Sequence, residues 1–346
     1  TPPETLDLVA FGEKLYLLWG PLPGLLLMAP VALLGVEVSD ILVTVLCGAL
    51  NVWLVALVLE AADARGVVPL TRVRRGLLVL FFALGTVHLP LAPLGRVWQL
   101  VQLIGFACVA AGYLAALRLR GGPAFLLVGL AFAGALLTRT HMAATLVWPA
   151  VFLLYTHRGV GRSRLVGLVA LLGAMLALGV GLLAAYNWAR FGNPLETGAA
   201  YHLMTESMRP DFERYGYFNL HFVPTNLLFQ YVVYPFPLGP RTYMGGSLLL
   251  LSPLFFAALA RRWEMPRWSY LALIASVALT LPPILLLMNT GFAQFGPRYT
   301  LDFTVPLLLL TAAGARRWPL WLFAAAVAVS IAHYALGTLF VAGLLT

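Results

Sequence analysis

The sequence predicts an all-α, polytopic membrane protein with about 10 transmembrane helices and one short re-entrant or interfacial helix near its start. Three observations predict it. Hydrophobic residues make up 61% of the 346 positions and charged residues only 10%, with a mean hydropathy of +0.91; soluble domains carry about 25% charged residues. Apolar runs near the roughly 20 residues that a membrane helix requires recur along the chain. Finally, the arginines gather in short loops between alternate apolar runs, as the positive-inside rule expects.

Residues 1–18 carry Glu4, Asp7, Glu13 and Lys14 and read as a polar or interfacial segment. The stretch 22–36 contains Pro23 and Pro30 and falls short of a full span, so a re-entrant or interfacial helix is expected there. Full spans are expected at about 41–60, 76–92, 97–117, 123–138, 141–156, 165–186, 246–260, 269–288, 300–314 and 318–342. This divides the chain into an outer loop with its short helix (1–36), a transmembrane module (37–186), an extracytoplasmic loop (187–245) and C-terminal helices (246–346). The chain opens on Thr1 and polar residues, which leads us to expect a further segment upstream.

Fourteen of the twenty-two Lys and Arg residues, from Arg65 to Arg317, fall in loops on one face, which we assign to the cytoplasm. The same placement accounts for the net charge of +9 without nucleic acid as a partner. Cys47 and Cys108 lie inside apolar runs, which reads as buried thiols and not as a disulfide or metal site. The opposite face collects aromatics and most of the acids. Its bland reading is an interfacial aromatic belt with a solvated loop; its sharper reading is a cavity that holds a lipid phosphate with cations and a polar acceptor with carboxylates.

Three stretches carry the sharper reading. Arg139 and His141, in LLTRTHMAATLVWP, sit at a turn too short to leave the interface. An arginine there offers a planar, permanently charged fork to a phosphate, or it snorkels to headgroups. In YNWARFGNPLETGAAY, Asn187, Arg190 and Asn193 follow a long apolar helix that Gly192 and Pro194 break. Arg190 neutralises a phosphate or caps the helix, and Glu196 binds an acceptor hydroxyl or pairs with Arg190. In QFGPRYTLD, Arg298 and Asp302 stand four apart, the spacing of an ion pair on an α-helix. Charges placed inside a membrane boundary are costly enough to point to function.

Taken with FGEKLYLLWGPLPGLLLMAPVALLG, these stretches resemble the bacterial GT-C membrane glycosyltransferases, the group that includes the aminoarabinose and protein mannosyl transferases, over roughly residues 12–315. The resemblance implies a GT-C-like fold in the bacterial cytoplasmic membrane. It also implies inverting transfer of a sugar from a polyprenyl-phosphate donor to an acceptor on the extracytoplasmic face. The family's hallmark is an acidic residue in the first outer loop, for which Glu4, Asp7 and Glu13 are the candidates present. By the same resemblance Lys14, Arg139 and Arg298 are expected near the donor phosphate, with Arg190 beside them. His141, Asn187, Glu196 and Asp302 are the candidates for acceptor binding and orientation.

The chemistry requires cations that stabilise charge growing on the phosphate and a carboxylate within reach of the acceptor hydroxyl. No metal-ligand spacing or phosphate-binding glycine loop is present, and a divalent ion held by carboxylates stays open. Two other readings stand beside the transferase: a non-catalytic subunit of a larger membrane complex on the same scaffold, and a transporter or flippase of a lipid-linked substrate. The transporter is disfavoured because no repeat is visible and the charges sit at span ends.

Overall fold

A backbone in hydrocarbon must satisfy its own N–H and C=O groups, which long apolar segments do by forming helices. The computed structural model describes residues 8–36, 38–260, 265–291 and 294–345, and it is mostly helical. Its principal helices are α1 (Pro21–Leu34), α2 (Asp40–Ala64), α3 (Arg72–Leu84), α4 (Val97–Arg118), α5 (Gly121–Leu136), α6 (Thr140–Thr156), α7 (Arg162–Phe191), α8 (Arg267–Leu286), α9 (Thr304–Gly314) and α10 (Leu320–Val341). Among the described residues, α2, α4, α7, α8 and α10 are long and apolar enough to cross a bilayer.

The remaining expected spans are shorter or broken. α3 ends at Gly85, before the short turn His88–Leu91. The 246–260 stretch is a four-residue helix, Leu248–Leu251, then a 3₁₀ segment, Pro253–Leu259, whose proline has no N–H to donate. α9 is preceded by a 3₁₀ segment, Arg298–Phe303. α6 likewise begins as 3₁₀ over Thr140–Leu146.

α4 is the central helix. Most of its middle is buried, whereas α7 leaves nearly all of its apolar surface uncovered by protein. On α2 the buried residues Thr44, Gly48, Asn51, Val55, Val58 and Ala62 form one stripe, and Ile41, Leu46 and Trp53 stand exposed on other faces. A helix that is apolar all round but packed on one stripe fits a lipid surround. Small residues allow the close contacts: a Cβ on Gly179 of α7 would lie 2.8 Å from the Ala133 side chain of α5, and one on Gly129 would lie 2.7 Å from Met175. Inside, Asn51 donates to the Leu103 carbonyl of α4 at 3.0 Å.

Residues 8–17, expected as part of a polar or interfacial segment, are the main departure from an all-α fold. They form an antiparallel hairpin, β1 (Leu8–Phe11) and β2 (Lys14–Leu17), pairing Leu8 with Leu17. Val9 is fully buried, and the hairpin is fastened to the 187–245 loop by a bridge from Val9 to His202 and by the Leu203 N–H to the Leu8 carbonyl at 3.0 Å. Phe11 packs edge to face on Phe191 and Tyr201, as does Tyr16 on Phe191, and the Phe191 and Tyr201 rings are tilted against each other. The segment is short and mixes charged with apolar residues, so its composition signals an interface without revealing a strand. A second small pairing, Met244–Gly245 with Gln294–Phe295, is parallel.

α5 and α7 start beside the Arg118–Arg120 and Arg158–Arg164 loops and run to the opposite face, where the candidate stretches gather. α7, at 30 residues, is about 45 Å long at 1.5 Å per residue, enough to cross both interfaces.

Candidate functional site

At that opposite face, the ends of β2, α5, α7 and α8 enclose a cavity of about 420 Å³. Its walls are largely apolar, with Arg139, His141, Asn187, Arg190 and Tyr299 among the polar contributors. A smaller cavity of about 90 Å³ adjoins it and is lined by Trp98, His202, Asn289 and Arg298. Leu18, Trp19, Tyr217, Leu287 and Tyr299 line both.

Local sequence explains how these walls meet. β2 runs into α1 through Gly20, where a Cβ would lie 2.1 Å from the Leu137 carbonyl oxygen, so only glycine lets this junction touch the end of α5. The Leu22 N–H then donates to that same carbonyl at 3.2 Å. α7 stops at Gly192, whose φ of 67° is the left-handed cap conformation. This leaves Asn187 and Arg190 on its last turns, facing the hairpin. α8 carries Pro282 and Pro283 near its end, and the Asn226 amide donates to the Leu285 and Leu287 carbonyls at 2.8 and 2.7 Å. The Tyr217–Asn219 strip is laid along that end by the Asn219 N–H to the Leu286 carbonyl and the Met288 N–H to the Tyr217 carbonyl.

The charges are arranged around Asp302. Its side chain is wholly buried, and its carboxylate accepts from His141 Nε2 at 2.6 Å and Gln102 Nε2 at 2.8 Å and forms an ion pair with Arg139 Nη2 at 3.1 Å. Gln102 also donates to the Arg298 carbonyl at 2.7 Å, tying α4 to the 3₁₀ segment. Asp302 does not pair with Arg298 as the four-residue spacing suggests. Residues four apart share a face on an α-helix, but on a 3₁₀ helix of three residues per turn they point about 120° apart. Arg298 instead donates Nη2 to the Tyr299 hydroxyl at 3.2 Å.

Three arginines are therefore buried here at 8% exposure each, with unsatisfied donors: Arg139 at Nε and Nη1, Arg190 at Nε, and Arg298 at Nε and Nη1. The indole Nε1 of Trp19 is also buried without a partner. Arg139 and Arg298 lie over the same Tyr299 ring, 5.0 and 4.7 Å from its centre, and over Trp19 and Trp98 respectively, each at 5.9 Å. Arg190 stacks on Tyr186 at 3.9 Å and donates to the Leu17 carbonyl at 2.8 Å and to Asn187 Oδ1 at 2.9 Å. It thus anchors the hairpin and lines the larger cavity at once. His141 is partly accessible at the cavity wall. Its Nε2 meets Asp302 and its Nδ1 has no partner among the described residues; in the neutral ring that donates Nε2–H to the carboxylate, Nδ1 is a proton acceptor.

Of the sequence candidates, Arg139, His141, Asn187 and Arg190 come together in the larger cavity, Arg298 lines the smaller one, and Asp302 lies behind Arg139 and His141. Others do not join them. Glu196 turns back on its own loop, accepting from the Gly198 N–H at 2.7 Å, and makes no ion pair with Arg190. Glu13 and Lys14 are exposed on the hairpin and line neither cavity, because the turn carries them to its outer end. Glu4 and Asp7 lie outside the described residues. Among the described residues no carboxylate lines either cavity, and no group of three His, Cys, Asp or Glu is placed to hold a metal.

Gln102, Trp19 and Tyr299 were missed from sequence. Gln99 and Gln102 do leave a signal: two amides three apart in VWQLVQLIGF, on one face of an otherwise apolar helix, are polar groups whose presence in a membrane needs a partner. Comparison with family models, with curated proteins and with solved structures finds no match for this chain.

Proposed function

We propose that this is a membrane glycosyltransferase with a GT-C-like arrangement of about ten spans, which takes a sugar from a polyprenyl-phosphate donor at the extracytoplasmic face of the bacterial cytoplasmic membrane. One observation carries the reading: three buried arginines with five unpartnered donor nitrogens line the two adjoining cavities, and of these only Arg139 is paired with a buried carboxylate, Asp302. Buried cations without compensation are costly, so an anionic ligand is the natural partner. The apolar remainder of the wall suits a prenyl chain, and the dry setting strengthens each N–H bond to a phosphate.

In this reading His141, oriented by Asp302, is the base. Its Nδ1 takes the proton of the acceptor hydroxyl as that oxygen bonds to the anomeric carbon. The carbon–oxygen bond to phosphate breaks, its electron pair stays on the phosphate oxygen, and the arginines stabilise the charge that collects there. The proton returns from His141 to the released phosphate. The test is transfer from a panel of polyprenyl-phosphate sugars by membranes that contain the full chain. Arg298→Ala is expected to abolish transfer while the protein stays folded, and full activity in that variant refutes the donor-phosphate role.

The second reading, a non-catalytic subunit of a larger membrane complex, is favoured by one fact: no carboxylate lines the cavities among the described residues. Anion binding without transfer by any fraction containing the chain would select it.

A further inference from the structure

We propose that the two adjoining cavities form one site with two phosphoryl seats, so that the polyprenyl carrier of the donor proposed above is joined to its sugar through a diphosphate diester and not through a single phosphate. This names the substrate class of the site described above and rests on the reading that the site binds a lipid phosphate.

The geometry gives each seat its own cation. Arg139 and Arg190 line the larger cavity and Arg298 the smaller, while Trp19 and Tyr299 belong to both walls. Arg139 and Arg298 lie 5.0 and 4.7 Å from the centre of the Tyr299 ring, so their guanidinium carbons are at most about 10 Å apart. The two seats are therefore close enough for linked groups. The smaller cavity, at about 90 Å³, has room for a head group but not for a lipid chain, whereas the larger one, at about 420 Å³, has room for both.

Charge and hydrogen-bond capacity point the same way. Among the described residues three buried arginines stand against Asp302, an excess of two positive charges. The buried donors without partners are Arg139 Nε and Nη1, Arg190 Nε, Arg298 Nε and Nη1, and Trp19 Nε1. A phosphodiester carries one charge on two unbridged oxygens, with about four lone-pair positions, as in a carboxylate. It leaves one arginine uncompensated and two of the donors unmet. A diphosphate diester carries two charges on four such oxygens and satisfies both counts. Arginine is suited to this because its fork bonds two oxygens of one group at once.

The experiment uses the full chain, purified in detergent, with two probes that share lipid and cap and lack a sugar: farnesyl methyl phosphate and P1-farnesyl P2-methyl diphosphate. The diphosphate is expected to bind about tenfold tighter or more, the effect of one further charge-assisted contact. Arg298→Gln should erase that advantage by weakening the diphosphate about tenfold more than the monophosphate, whereas Arg139→Gln should weaken both probes alike. Arg298→Lys, which keeps the charge and loses the fork, should fall between. Equal affinity of the wild type for the two probes overturns the proposal even if the variants fail to fold. So does an Arg298→Gln protein, folded by its thermal transition, that loses both probes alike. Binding of neither probe overturns the lipid-phosphate reading together with it, and binding of the monophosphate alone overturns only the second seat.

Discussion

Replacing Asp302 by Asn tests the centre of this site. The substitution keeps the shape and removes the charge, leaving Arg139, itself 8% exposed, without an anion and with only aromatic faces beside it. Two donors, His141 and Gln102, and the Arg139 cation converge on the native carboxylate, and an amide oxygen can keep one of the three contacts well. Breaking a buried pair from one side costs about 3–5 kcal/mol. For a chain of this size that corresponds to a fall in Tm of roughly 4–7 °C. Tryptophan fluorescence during unfolding in mixed micelles reads the change. Arg139→Gln made in the Asp302→Asn background should recover part of the loss, because it removes the stranded cation, and the coupling between the two sites should reach about 2 kcal/mol. A single-site cost below about 1 kcal/mol, or effects that add within about 0.5 kcal/mol, would refute the claim that this pair organises the site.

Three further outcomes follow from the same geometry. Gly20→Ala places a Cβ 2.1 Å from the Leu137 carbonyl, where the backbone of α5 has no room to yield; a loss of about 2 kcal/mol in the same unfolding assay is expected, together with weaker prenyl phosphate binding, and an unchanged protein would mean the junction is looser than described. Arg190→Gln removes the bond to the Leu17 carbonyl and the stacking on Tyr186, so amide exchange over residues 8–17 should accelerate about tenfold or more, the effect of losing a charged hydrogen bond; unaltered exchange would show that the aromatic cluster alone holds the hairpin. For the two faces, single cysteines at the exposed positions Arg158 and Asn193, with Cys47 and Cys108 replaced, should differ toward an impermeant maleimide on intact cells. Position 193 should label and 158 should not, and the reverse pattern would invert the assigned orientation.

Much of the outward organisation was legible because hydropathy and charge report each residue's surroundings one at a time. The long apolar runs became α2, α4, α7, α8 and α10, and Gly192 ended α7 where glycine and proline marked a break. Arg139, His141, Asn187, Arg190 and Arg298 drew attention singly, as charged or polar groups at the ends of spans, and the fold brings them to adjoining walls. The hairpin was not legible, since two four-residue strands in a mixed polar segment have too little periodicity to separate them from an interfacial coil.

The sequence by itself determined that apolar helices dominate the chain, where the arginines fall between them and which residues are too polar for their place. Only the tertiary structure decided who meets whom. Spacing along the chain offered Asp302 to Arg298, but the tight 3₁₀ turn directs them apart, and Asp302 takes partners on α4 and at the start of α6 instead, His141 standing 161 positions away. A buried carboxylate is compensated by whichever cations the packing of separate helices brings to it, and that packing is a property of surfaces in contact that no local pattern encodes.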